Sequence, residues 1–154
     1  MVRIGRVWIG VLLSGTIACA TAAGMRGAPL QEGIAHTFTG EYDQVLTAAR
    51  EALLEAGLTV EEVNKVNDTT WMIIGNRGTS AWSWGELVRL VVEQTDASQT
   101  TVRVLTERRL ATNVTAKGDY STSIFSNMEL KLKSSVKPAS KRPIPAASRA
   151  NQEI

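Results

Sequence analysis

The feature that most limits the fold of this chain is a change in the spacing of its apolar residues. Between residues 42 and 56 they recur at the spacing of one helix face: Tyr42, Val45, Leu46, Ala49, Leu53 and Ala56. After Gly57, a residue typical of helix ends, four apolar runs separated by turn residues follow at 58–63, 69–75, 86–93 and 101–107. A chain that changes from helical to strand spacing in this way favours an α+β domain.

Two further elements complete the predicted domain. Residues 36–40 indicate a short strand before the helix, and Asp119 is a typical cap for a second helix. The inward residues of that helix are Tyr120, Ile124, Phe125, Met128 and Leu132. The predicted order is β-α-β-β-β-β-α: an antiparallel sheet of about five strands, with two helices on one face and solvent on the other. We assign this α+β domain to residues 36–133.

The N-terminal segment has the three parts of an export signal. Arg3 and Arg6 precede an apolar run over residues 7–13, and small residues follow. We therefore predict a signal peptide over residues 1–19. Two alternatives remain: cleavage at Ala22, which would give a secreted or periplasmic soluble protein, and an uncleaved anchor over residues 7–25, close to the ~20 residues that span a bilayer.

The end of this leader resembles the lipobox of bacterial lipoproteins. Thr16-Ile17-Ala18-Cys19 places a small residue before the one cysteine of the chain. The resemblance implies that Cys19 carries acyl (palmitate-type) chains, so that membrane lipid is one expected partner. Acylation would leave no free thiol in an oxidising envelope. In a bacterium with two membranes, Ala20 after the cysteine implies the periplasmic face of the outer membrane.

The two segments that flank the domain have different compositions. Residues 20–35 contain Gly24, Gly27, Pro29 and Gly33 with few large apolar residues, which predicts a flexible tether. Residues 134–154 contain prolines among Ala, Ser, Lys and Arg, which predicts a disordered basic tail. Residues 1–35 carry a charge of about +2, the domain about −3 and the tail about +3, so the net charge of +2 comes from the two ends.

No combination of residues predicts a catalytic site, a metal site or a cofactor. A single cysteine and a single histidine exclude paired-His and multi-Cys metal sites. His36 has no accompanying nucleophile motif, and Gly75-Asn76-Arg77-Gly78 lacks the Lys-Ser/Thr of a phosphate-binding loop. Because nucleic-acid binding requires a basic surface on the fold itself, we expect no nucleic acid as a partner.

The aromatic residues suggest one candidate binding surface. Trp71, Trp82 and Trp84 lie in or near one loop region beside Arg77, and Trp82 and Trp84 alternate as on one face of a strand. Tryptophan is favoured at protein interfaces. The same rings could instead form part of the core or a lid over the sheet, or contact a bilayer.

The pattern as a whole resembles small bacterial envelope lipoproteins and, more loosely, the helix-grip modules of the outer-membrane assembly lipoprotein C. The resemblance is carried by Thr16–Cys19, by Phe38–Leu46 and by the antiparallel strands that follow. It implies a non-enzymatic accessory role and no active-site residue. From the leader, the tether and the lack of catalytic groups, we expect a membrane-tethered module that binds or assembles with another envelope protein. The alternative is a periplasmic carrier or sensor that holds a small apolar ligand between helix and sheet.

Overall fold

The described part of the chain forms one five-stranded antiparallel sheet with helices. The computed structural model describes residues 20–79, 85–110 and 118–135. The helices are α1 (Ala22–Gly27), α2 (Tyr42–Glu55) and α3 (Ser121–Ser135). The strands are β1 (Ile34–Thr39), β2 (Thr59–Asn67), β3 (Thr70–Arg77), β4 (Glu86–Asp96) and β5 (Gln99–Arg108). In space the strands run β1-β5-β4-β3-β2, which confirms the predicted α+β class and adds α1.

Helix α2 ends just before Gly57, the residue that the sequence predicts as its end. Gly57 has a φ of +82°, the left-handed conformation that favours glycine. Its N–H donates to the carbonyl of Leu54, and the N–H of Leu58 donates to the carbonyl of Leu53. These two bonds satisfy carbonyls that a helix end leaves free, and they turn the chain directly into β2.

Helices α2 and α3 cover one face of the sheet and enclose the main core. Asp119 accepts a hydrogen bond from the N–H of Ser121 at the start of α3, as the predicted cap requires. Lys131 joins the helices through ion pairs with Glu51 and Glu55. The buried apolar side chains of this layer are Phe38, Val45, Ala48, Ala49, Ala52, Leu53, Leu58, Ile73, Val88, Leu90, Val92, Val102, Val104, Tyr120, Ile124 and Met128.

The opposite face of the sheet is covered in part by residues 20–33, which we call the N-terminal clasp. Met25 of α1 is fully buried there with Met72, Ile74 and Leu87, and Ala20 packs against the same cluster. The predictions of a flexible tether over residues 20–35 and of a solvated second face are therefore wrong for this segment. The physical reason is Arg89 on β4, whose guanidinium binds the clasp backbone.

The ends of the chain extend beyond what the structure describes. Cys19 and the predicted signal peptide lie outside the described residues, as does the tail from residue 136. Ser134 and Ser135, assigned to the tail from the sequence, belong to α3. No helix within the described residues is both long enough and apolar enough to cross a membrane.

Candidate functional site

The structure separates the two described members of the predicted aromatic surface. Trp71 is half-buried near one end of β3, and Arg77 is the last residue of that strand. Six residues of extended chain place them about 20 Å apart. Trp82 and Trp84 lie outside the described residues. Trp71 and Arg77 therefore do not form one patch.

Arg77 instead belongs to a polar cluster at one end of the sheet. The hydroxyl of Tyr120 donates to Oε2 of the fully buried Glu86 at 2.7 Å, and Nη1 of Arg77 donates to the Tyr120 hydroxyl at 3.1 Å. Nη1 of Arg77 also lies 3.7 Å from that Glu86 oxygen. Burial, followed by the hydrogen bond to Glu86, raises the pKa of Tyr120. The cluster compensates a buried carboxylate and fastens the start of α3 to β3 and β4.

The more open surface is the edge of the sheet formed by β1. The described strand β1 pairs with β5 alone, from Ile34 opposite Val104 to Thr39 opposite Gln99. Gly40 continues this ladder by donating its N–H to the carbonyl of Ser98. Because bonded pairs alternate along an antiparallel ladder, residues 34, 36 and 38 direct their backbone groups toward β5. Ala35, Thr37 and Thr39 therefore direct their N–H and C=O groups toward the open edge.

The two edges of the sheet differ in how they are protected against further pairing. Strand β2, at the other edge, has two register irregularities and carries Glu61, Glu62 and Lys65. Bulges and charges of this kind block the addition of another strand. Strand β1 pairs in regular register and contains neither Lys, Asp, Glu nor Pro. The β1 edge thus has the properties of an edge that accepts a strand.

A groove of about 430 Å³ runs between β1 and the C-terminal half of α3. Its lining includes His36 and Phe38 from the strand and Glu129, Leu132 and Lys133 from the helix. Phe38 and Leu132 contribute apolar lining to this groove, and Glu129 and Lys133 contribute charged groups. A strand added beside β1 would direct every second side chain into it.

His36 forms part of the wall of this groove. Its ring lies 4.6 Å from that of Phe38 and 5.3 Å from that of Phe125, measured between ring centroids. Its Nε2 lies 3.7 Å from Oε1 of Glu129. These contacts make His36 a packing residue on a half-exposed surface.

The N-terminal clasp is held by an unusual buried cation. The Arg89 side chain is fully buried, and its guanidinium donates to the carbonyls of Met25 at 2.9 Å, Ala28 at 2.7 Å and Pro29 at 2.7 Å. Burial lowers the pKa of this guanidinium, and the charges of Glu32 and Glu107 oppose that shift. Arg26 adds an ion pair to Glu62 of β2 at 2.6 Å. The clasp is thereby fixed to two strands.

The layer between α2 and the sheet is closely packed at its centre. A methyl group added to Gly75 of β3 would lie 2.7 Å from a methyl carbon of Leu53, which is fully buried. Atoms at that distance overlap, so the helix approaches the strand as closely as glycine allows. This part of the helix–sheet interface leaves no space for an apolar ligand.

Sequence reasoning predicted a strand over residues 36–40, which overlaps β1, but missed its position at the edge of the sheet. The one available signal was the contrast in charge between residues 34–39 and residues 59–67. No three His, Cys, Asp or Glu side chains group as metal ligands within the described parts of the chain. Comparison with protein-family models and with curated proteins finds no match in either set.

Proposed function

We propose that this protein is a lipoprotein of the bacterial cell envelope that binds another protein chain without catalysing a reaction. The binding site is the β1 edge, where an extended segment adds as a further strand. The observation that carries the proposal is the regular, uncharged edge of β1 beside an apolar groove, opposite an edge whose charges and register irregularities oppose pairing.

The clasp sets how far the domain would lie from the proposed membrane anchor. Ala20, which follows the predicted acylation site directly, already packs against the sheet. A free 16-residue tether would give a reach of about 20–24 Å. With the clasp docked, the domain is held next to its anchor instead.

The anchor is tested by intact-mass measurement of the membrane fraction and by Cys19→Ser. An acyl mass increment on the wild-type chain, together with release of the variant into the soluble fraction, is the expected result. An unmodified mass, or a variant that fractionates like the wild type, contradicts lipidation.

The binding edge is tested with a photoreactive benzophenone side chain in place of Thr37 in cells that produce the full chain. The matched control places the same group at Val63 on the protected β2 edge, where the side chain is 40% exposed. We expect a discrete covalent adduct from position 37 and not from position 63. Equal labelling at both positions, or none at 37, contradicts binding at the β1 edge.

A further inference from the structure

We propose that the chain added to the β1 edge is a second copy of this protein, related to the first by a two-fold axis at Thr37. The inference rests on the strand-addition function proposed above and names its partner. The result would be one continuous antiparallel sheet across two copies.

The hydrogen-bonding pattern of β1 matches itself in this arrangement. An axis at Thr37 places Thr37 opposite Thr37 of the second copy, and Ala35 opposite Thr39 of the second copy. All three residues of each edge direct their N–H and C=O groups outward, so every outward residue meets another outward residue. Since each bonded pair exchanges two hydrogen bonds, the junction forms about six. A shift by one residue would place outward groups against residues already bonded to β5.

The side chains on the helix-covered face also match. His36 lies opposite Phe38 of the second copy, a non-bonded pair in which the side chains approach closely. Ile34, which is 52% exposed in one copy, lies opposite Gly40 of the other, where no side chain obstructs it. The junction therefore covers an apolar side chain that a single copy leaves in water.

The helices leave room for the junction. Helix α3 packs over β1 through contacts of Phe125 with His36 and Phe38. Each α3 contacts both β1 and β5 and so lies above that pair of strands. With neighbouring strands about 4.8 Å apart, the axes of the two α3 helices lie about 10 Å apart across the junction. That is the spacing of packed helices. Glu129 and Lys133 on the facing side pair with each other within one copy, so this side carries no net charge.

Single cysteines test both the partner and the register. In the full chain, Thr37→Cys places two thiols at the axis with Cα atoms about 5.5 Å apart, within the disulfide range of about 4.4–6.8 Å. Ala35→Cys, two residues away on the same edge, places its two thiols about 14 Å apart along the strand. The wild-type chain controls for any cross-linking through Cys19.

We expect mild oxidation to convert most of Thr37→Cys to a disulfide dimer of twice the mass of its own monomer, and to leave Ala35→Cys unlinked. Co-expressed Ala35→Cys and Thr39→Cys copies should link to each other. The absence of a Thr37→Cys dimer in protein whose circular dichroism is unchanged overturns the inference. Equal dimer yields from Thr37→Cys and Ala35→Cys overturn it as well.

The photoreactive group at position 37 separates failure of this inference from failure of the proposed function. An adduct of twice the chain mass supports the second copy. An adduct of any other mass refutes the second copy and leaves strand addition standing. No adduct at all refutes both.

Discussion

Replacing Arg89 with methionine tests how much the buried guanidinium stabilises the clasp. Three of its hydrogen bonds measure 2.7–2.9 Å. Bonds from a charged donor contribute about 1.5–3 kcal/mol each, or about 4.5–9 kcal/mol in total. Burial of the cation offsets several kcal/mol of this. We therefore expect Arg89→Met to lower the free energy of docking of the clasp by about 3 kcal/mol. The loss cannot exceed the whole docking free energy, because the clasp is then fully released into water.

The assay measures opening of the clasp and global unfolding separately. Trypsin cleaves after the exposed Arg26 only when α1 leaves the sheet, and the amides of Met25 and Ala28 exchange with deuterium in the same opened state. A loss of about 3 kcal/mol raises the opened population about 100-fold. The rates of cleavage and exchange should rise by that factor, while urea unfolding reports the rest of the domain.

The matched control is Arg50→Met on the exposed side of α2, which removes a positive charge that lies away from the clasp. This variant should keep the wild-type cleavage rate to within a factor of two or three. If Arg89→Met also cleaves at the wild-type rate, the guanidinium does not hold the clasp and the packing of Met25 alone does. In that case the physical account of why residues 20–33 are ordered is wrong.

Three further predictions concern the packing and the pH dependence of the domain. Gly75→Ala forces a methyl group against Leu53 and should destabilise the domain by about 1–3 kcal/mol in urea unfolding. The control Gly78→Ala, where the added carbon meets nothing within 4 Å, should change the unfolding free energy little. Because the pKa of Tyr120 is raised in the folded protein, its contribution to stability is fully present below the ordinary tyrosine pKa of about 10 and is lost as the pH rises above that value. Tyr120→Phe should therefore flatten the alkaline decline of the melting temperature. Hydrogen bonds from Asn64 and then Arg26 lower the pKa of Glu62, so its contribution to docking of the clasp is present above a pH of about 4.3 and is lost as the pH falls. Glu62→Gln should remove that acid dependence from clasp opening, measured as deuterium exchange of the Met25 amide relative to its intrinsic exchange rate at each pH.

The elements predicted correctly from the sequence are those set by local patterns. Helix α2 follows from apolar spacing over residues 42–56 and from Gly57 at its end, and the β4–β5 hairpin follows from two apolar runs around a turn. In both cases the residues that determine the structure lie within a few positions of one another. Spacing within a short window therefore contains the information.

The clasp was mispredicted because its stabilising partner lies far away in the sequence. Its glycines and proline have the composition of a linker, and most of its own side chains are exposed. What orders it is Arg89, 64 residues beyond Met25. An arginine within an apolar strand is visible in the sequence, but the backbone carbonyls that it binds carry no sequence signature.

The edge position of β1 was missed for the same reason, because the strand that it pairs with lies far away in the sequence. Residues 36–40 predict a strand, but nothing within them indicates that β5, rather than a neighbour in sequence, is its partner. The absence of charge becomes informative only once the strand order is known. An uncharged strand is ordinary in the middle of a sheet, whereas at an edge its unpaired backbone groups are exposed to pairing with another chain.

The clasp and the β1 edge have a joint consequence if the protein forms the proposed dimer. A two-fold axis normal to an antiparallel sheet keeps each face on its own side, so both clasps lie on the side away from α2 and α3. Both chains then begin their packed residues, at Ala20, on one side of the dimer, and two acyl anchors can enter one bilayer. A junction of about six hydrogen bonds is weak between freely diffusing molecules, but tethering raises the effective concentration of each copy for the other. Release of the chain by Cys19→Ser should therefore lower the disulfide yield of Thr37→Cys at equal expression. An unchanged yield would mean that the edges pair strongly without the membrane, and that the anchor contributes nothing to assembly.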